Sequence, residues 1–181
     1  MNKKAVWLVP LWLLAGCAGA GYGEYTAGDL RGINHTPNVI NFVKVNGYGG
    51  PNIAAYGDGG GYCCVLLPRK WIPGMEALVE WEVTPVSDTP IPGFEEWEKY
   101  LAWEKELKAS FRRHSAVVPV PEYGEQRCGM TVHFLPCNQV KVTTVCMGYG
   151  TPDYPIKEPR NMPEPENCPV AAAVNNAVRN G

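Results

Sequence analysis

Met130-Thr131-Val132-His133-Phe134-Leu135-Pro136-Cys137-Asn138-Gln139-Val140-Lys141-Val142-Thr143-Thr144-Val145 carries two β-rich runs around a link that holds a proline and an asparagine. Period-two alternation sends successive side chains to opposite faces of a strand, and the link closes the two runs into a hairpin. The same signal recurs upstream. Ser115 to Val120 is β-branched and punctuated by Pro119 and Pro121. Ala77 to Val83 alternates Leu78, Glu80 and Glu82 against Val79, Trp81 and Val83. Tyr62 to Leu67 is an apolar run of buried-strand length, ended by Pro68. Val39 to Val45 runs into Asn46-Gly47, a strong hairpin turn signal, with Ile53 to Tyr56 as a short return strand. Six or seven short strands predict an α+β, mainly β domain of β-sandwich-like form.

One segment changes the period. Phe94 to His114 is free of glycine and proline, and Phe94, Trp97, Leu101, Leu107 or Lys108, and Phe111 recur at helical spacing as one apolar stripe. Glu95, Glu96 and Glu98 come early and Lys108, Arg112, Arg113 and His114 late, as the helix dipole favours, so an amphipathic helix is expected over 94–114. Beyond Gly150 prolines crowd the chain, which suits an irregular tail along the surface, and 170–181 reads as a short Ala-rich helix or as disorder. Residues 18–30 are Gly-rich and without periodicity, as a spacer would be. The resulting division is 1–16, leader; 17–31, tether; 32–156, β-rich domain with its helix; 157–181, Pro-rich tail.

The leader rests on Met1-Asn2-Lys3-Lys4, the apolar run Ala5 to Leu14 and the ending Leu14-Ala15-Gly16-Cys17. A basic start, a short apolar run and small residues at the end describe a signal peptide. The run is shorter than the roughly 20 apolar residues that cross a bilayer. Leu-Ala-Gly-Cys resembles the lipobox of bacterial lipoproteins, which implies that Cys17 is acylated and becomes the new N-terminus. Ala18 stands where aspartate would signal inner-membrane retention, so the resemblance implies the periplasmic face of the outer membrane. Loss of Lys3 and Lys4 takes the formal net charge from −2 to −4. That acidic body argues against nucleic acid and against docking to anionic lipid, leaving the acyl chains as the membrane contact.

Cys63, Cys64, Cys128, Cys137, Cys146 and Cys168 remain, an even set that reads as up to three disulfides in an oxidising compartment. Fifteen connectivities are open. Adjacent Cys63 and Cys64 would face opposite sides of a strand, with one bridging in the core and the other outward or paired elsewhere. No C-x₂-C or H-x₃-H spacing supports a metal. The search for a reaction finds no catalytic residue and no cofactor motif. His133 reads as a satisfied histidine inside a strand, and His114 as a cation at a helix end. His35, in Asn34-His35-Thr36-Pro37, has the most functional promise of the three, though a structural role outranks it. Gly57-Asp58-Gly59-Gly60-Gly61 lacks the Lys-Ser/Thr of a phosphate loop, its Asp58 would repel phosphate, and it reads as a wide turn. There is no Gly-x-Ser-x-Gly elbow. The chain is read as a binding protein and not an enzyme.

Val45-Asn46-Gly47-Tyr48-Gly49-Gly50, Cys63-Cys64-Val65-Leu66-Leu67-Pro68-Arg69-Lys70-Trp71, Pro73-Gly74, Val79-Glu80-Trp81, Val132-His133-Phe134-Leu135-Pro136 and Tyr149-Gly150-Thr151-Pro152-Asp153-Tyr154-Pro155 occur in that order. Together they resemble a proteobacterial lipoprotein family classed as a domain of unknown function, over about residues 32 to 156. The resemblance implies an immunity protein that binds a phospholipase effector of the type VI secretion system; a structural or envelope-assembly lipoprotein is the alternative. It carries no catalytic residues, and Cys137, Cys146, Cys168 and the Pro-rich tail fall outside the shared pattern. Aromatic anchors dominate inhibitor interfaces. Tyr48, Tyr56, Trp71 and Tyr154 in loops, Trp103 on the helix, and Asp58 and Arg69 beside them are therefore the partner-binding candidates.

Overall fold

The computed structural model describes residues 24–169. Cys17, the leader 1–16, the first part of the tether and the segment 170–181 lie outside the described residues. Eight strands follow in chain order: β1 (Tyr25–Asn34), β2 (Val39–Val45), β3 (Tyr48–Gly49), β4 (Asp58–Pro68), β5 (Glu76–Thr84), β6 (Arg112–Pro119), β7 (Met130–Leu135) and β8 (Gln139–Thr143). Between β5 and β6 a 3-10 turn, Phe94–Glu96, runs into helix α1 (Trp97–Ser110). The strands form two four-stranded sheets, β4-β1-β7-β8 and β3-β2-β5-β6. Leu30, Val65, Val132 and Phe134 of the first meet Val43, Val79, Trp81 and Ala116 of the second in one core. The fold is α+β, mainly β, and sandwich-like.

The hairpin signals hold where turn chemistry is explicit. Val45 pairs with Tyr48 across Asn46 and Gly47, whose φ values of 50° and 84° are the left-handed pair that a two-residue hairpin needs. Leu135 pairs with Gln139 across the 136–138 link, where Cys137 and Asn138 also adopt positive φ. The return strand after Asn46-Gly47 is β3, so Ile53 keeps only an isolated bridge to Ile40.

Three expectations are corrected. Residues 25–31, assigned to the tether, belong to β1, which lies between β4 and β7 and is antiparallel to one and parallel to the other. Its glycines hide it from a hydrophobicity reading, yet they allow close approach: a Cβ on Gly28 would lie 2.4 Å from Gly129 Cα. The Gly-rich segment, expected as a wide turn, is the start of a strand, because β4 begins at Asp58. The helix stops at Ser110 and not at 114. Arg112, Arg113 and His114 instead pair with Val83, Glu82 and Trp81, where Arg113 bonds the Glu82 carboxylate at 2.9 Å and His114 stacks on Trp81. An open ladder edge with a matched charge outcompetes one more helical turn.

The adjacent cysteines also depart from expectation. Cys63 and Cys64 lie side by side, while Cys128 pairs with Cys146 and Cys137 with Cys168. The latter two bracket residues 146–168, a strap without strand or helix laid across the outer face of the β4-β1-β7-β8 sheet. Ile33 and His133 alternate with core-facing Gly32 and Val132 and so point outward, yet they are 7% and 0% exposed because the strap covers them. Tyr154 and Ile156 are the strap's own buried residues.

Candidate functional site

The strap is held by a polar chain that starts at His35, on the turn after β1. The His35 N–H donates to Phe134 O, and the Met162 N–H donates back to His35 O. His35 Nδ1 lies 2.7 Å from Pro159 O, His35 Nε2 lies 2.9 Å from His133 Nδ1, and His133 Nε2 lies 2.7 Å from the Tyr154 hydroxyl. A carbonyl can only accept, so His35 Nδ1 bears the proton and its Nε2 is the acceptor of a neutral ring. His133 must then donate from Nδ1 and accept at Nε2, from Tyr154. Burial lowers the pKa of both rings, that of His133 to about 3 with repulsion from His35 as the next cause. Burial also pushes the Tyr154 hydroxyl up to about 12. Each ring nitrogen thus has a partner, and the polar chain clasps the strap to the sheet.

Beside the clasp a cavity of about 450 Å³ opens between the strap and the outer sheet face. Arg31 of β1 and Gly60 and Gly61 of β4 line one side, and Tyr149 and Arg160 of the strap the other. The Arg160 guanidinium sits 4.8 Å from the Tyr149 ring centre and grips the Asp58 carboxylate with both nitrogens, one at 3.2 Å. That pairing raises the Arg160 pKa. Arg31 holds Asp29 at 3.2 Å on an otherwise exposed side chain.

Helix α1 presents a different surface. None of its residues is buried. Phe94, Trp97 and Leu101 are 73%, 54% and 43% exposed, and Tyr100 packs between Phe94, Trp97 and Trp103 at centroid separations of 4.9–5.7 Å. The apolar stripe read from the sequence is real in composition but does not enter the core. Val86 and Ile91 of the preceding segment are also more than three-fifths exposed. Among the described residues no helix is long and apolar enough to cross a membrane.

The candidates named from the sequence fall in three places. Tyr48, on β3, is 37% exposed, and Arg69 lies exposed on the β4–β5 connection. Trp71 beside it is half-buried, its indole N–H donating to Val120 O at 2.9 Å, which makes it a brace. Asp58 and Tyr154 come together with His35 under the strap, and half-buried Tyr56 donates its N–H to Thr36 O nearby. Tyr154 is therefore no exposed anchor: it is 2% exposed and clasped to His133. Trp103 is half-buried and lines a groove of about 290 Å³ between α1 and residues 85–89. Arg160 and Tyr149 were not singled out, because only the strap's path brings them to Asp58. Phe94 and Trp97 belong to the apolar stripe of the helix, and it is their exposure that marks them as surface.

Cys137, Cys168 and Glu164 approach one another, but both thiols are spent in a disulfide and the Glu164 carboxylate accepts the Cys137 N–H at 2.9 Å. That donor set does not fit a metal.

A family model described as "Protein of unknown function (DUF3304)" matches residues 33–142, more than half of the chain. The matched region contains α1 and its exposed face and ends before the strap. No curated protein and no solved structure matches the chain.

Proposed function

The chain belongs to the DUF3304 family, and we propose that it is an immunity lipoprotein, tethered through Cys17 in the periplasm, that binds and occludes a type VI secretion phospholipase effector. The observation that carries the binding role is the exposed apolar face of Phe94, on the 3-10 turn, and Trp97 and Leu101, on a helix with no buried residue, packed around half-buried Tyr100. Large exposed apolar faces mark interaction sites, and aromatic side chains dominate their energetics. The identity of the partner rests on the family resemblance in the sequence.

Position favours a protein over the membrane as what covers this face. β1 enters at Tyr25, at the end of the sandwich where β4 finishes. The α1 excursion leaves from Thr84, which pairs with Val39 just after β1 has ended. One strand length of about 30 Å separates the two ends. A lipid on Cys17 would attach through the end at which β1 enters, and the α1 excursion leaves from the other end. The helical segment 94–110 also carries five glutamates against three lysines, the wrong sign for anionic lipid. Tethering would concentrate the inhibitor where a lipase attacks, without adding a contact.

The test is co-purification of the detergent-solubilised full chain with a phospholipase effector encoded beside it, together with a lipase assay. A stoichiometric complex that silences the lipase is expected, weakened by at least about tenfold in a Phe94→Ser/Trp97→Ser variant. Absence of a complex with unchanged lipase activity would refute the reading and leave the envelope-structural alternative. Cys17→Ser should release the protein from membranes while leaving the complex intact.

A further inference from the structure

The cavity beneath the strap is unused by the helical face and carries an independent reading. We infer that it is a binding site for a phosphate-bearing small molecule, held between the guanidinium groups of Arg31 and Arg160. Three observations converge. Arg31 and Arg160 line the same cavity, one from the sheet and one from the strap, with Asp58 as the only acidic lining residue. The lining thus carries two guanidinium groups, each paired with one partly exposed carboxylate, Asp29 on Arg31 and Asp58 on Arg160.

The second observation is a bulge. Leu30 pairs with Tyr62 and Gly32 with Gly59, so Gly60 and Gly61 of edge strand β4 stand opposite Arg31 alone. Gly61 has a φ of +81°, and a Cβ on Gly60 would come within 3.2 Å of the Arg31 side chain. Gly60 leaves room beside Arg31, Gly61 takes the positive φ of the bulge, and the backbone there is out of register with its neighbour, an arrangement frequent beside binding sites.

The third is the Asp58–Arg160 pair. Its two-point grip is the geometry by which a guanidinium takes any two-oxygen anion, and Asp58 is 61% exposed, so the pair opens to solvent at little cost. Asp58 occupies Arg160 as an internal stand-in for ligand. A carboxylate ligand would satisfy Arg160 alone. A second guanidinium on the opposite wall calls for an anion with oxygens in more than one plane, which a phosphate supplies. The Tyr149 ring and Met147 offer the remainder of the ligand an apolar wall, and the volume suits a molecule of headgroup size.

Phosphate esters reach this site either as soluble molecules or as lipid headgroups, and titration of the full chain in detergent separates the two. Inorganic phosphate and glycerol 3-phosphate are titrated by calorimetry, and phosphatidylglycerol and phosphatidylcholine vesicles are compared by flotation of the Cys17→Ser chain. Saturable binding of glycerol 3-phosphate is expected, tighter than inorganic phosphate. It should weaken about tenfold in Arg160→Gln and several-fold in Arg31→Gln, and strengthen in Asp58→Asn. Arg31 is exposed and pairs only with Asp29, so R31Q folds whether or not R160Q does. Flotation with phosphatidylglycerol that R31Q abolishes assigns the headgroup source; soluble binding without flotation assigns the free ester. No saturable binding by wild type or D58N, or binding that R31Q leaves unchanged, overturns the inference.

Discussion

Acidification from pH 8 to pH 5 perturbs one group above all, His133. The ring is 0% exposed and sits between His35 and Tyr154, with Tyr149, Arg160, Glu158 and Asp58 as the remaining charged or titratable groups around the clasp. Its pKa falls from 6.5 in the unfolded chain to about 3 in the fold. A base whose folded pKa is depressed favours folding fully above its unfolded pKa, and that advantage drains as pH falls toward the folded value. Between pH 6.5 and 3 the unfolded state binds the proton and the native state does not. Each pH unit therefore removes about 1.4 kcal/mol, and about 2 kcal/mol is lost by pH 5. His35 and His114 are lowered too and steepen the wild-type profile. Glu82 and Glu158, lowered by bonds from Arg113 and Lys141, withdraw their contributions only below about 4.5, outside this window. The assay is urea denaturation at half-unit pH steps, for wild type and His133→Gln. The amide keeps a donor and an acceptor without titrating. The variant loses stability at pH 8, and its curve between pH 8 and 5 should be flatter than wild type by about 2 kcal/mol. Two parallel curves would show that the buried ring is not the titrating element.

The other predictions concern the frame around that clasp. Replacing Cys128 and Cys146 by serine frees the first end of the strap, and the 18-residue separation they close predicts a loss of about 3 kcal/mol in denaturation. The Cys137–Cys168 pair spans 31 residues and should give slightly more, with proteolysis of residues 146–168 as the local readout. Gly28→Ala forces a methyl against Gly129 backbone at 2.4 Å, where no side chain can swing aside, and should lower stability by about 1–3 kcal/mol in the same assay. Phe94→Ser/Trp97→Ser removes side chains that touch no core residue and pack only on Tyr100 nearby, so the melting temperature should fall by no more than a few degrees, whatever the change does to effector binding.

The sequence revealed what period and turn chemistry encode, and lost what depends on contact between distant segments. β2, β5, β7 and β8 are visible because alternation and explicit turn residues report them directly. β1 is not, since Tyr25 to Asn34 mixes glycines and charges with few apolar residues and is stabilised by neighbours on both sides. The end of the helix was misplaced for a related reason: basic residues suit a helix C-terminus and equally suit an ion pair with Glu82 on the adjacent strand. Adjacent His35 and Asp58 candidates were found separately, but nothing local says that Pro159 and Arg160, more than a hundred residues later, return to them.

One trace of the strap does lie in the hairpin segment itself. A sheet with one wet face should alternate buried and exposed residues, yet every residue from Val132 to Leu135 is buried. Strands buried on both faces read as near-continuous apolar runs, and parallel pairing such as that of β1 with β7 is found where both faces are covered. Val132-His133-Phe134-Leu135 is such a run, interrupted only by a histidine. A polar group in that position needs partners from above the sheet, because those within it are already committed to the ladder. The histidine that broke the apolar run was thus a sign of a third layer. It also fixes that layer's chemistry at this point: one donor, supplied by Tyr154, and one acceptor, supplied by His35, which itself reaches Pro159. The clasp, and the cavity it holds open against Arg31, follow from satisfying that single ring.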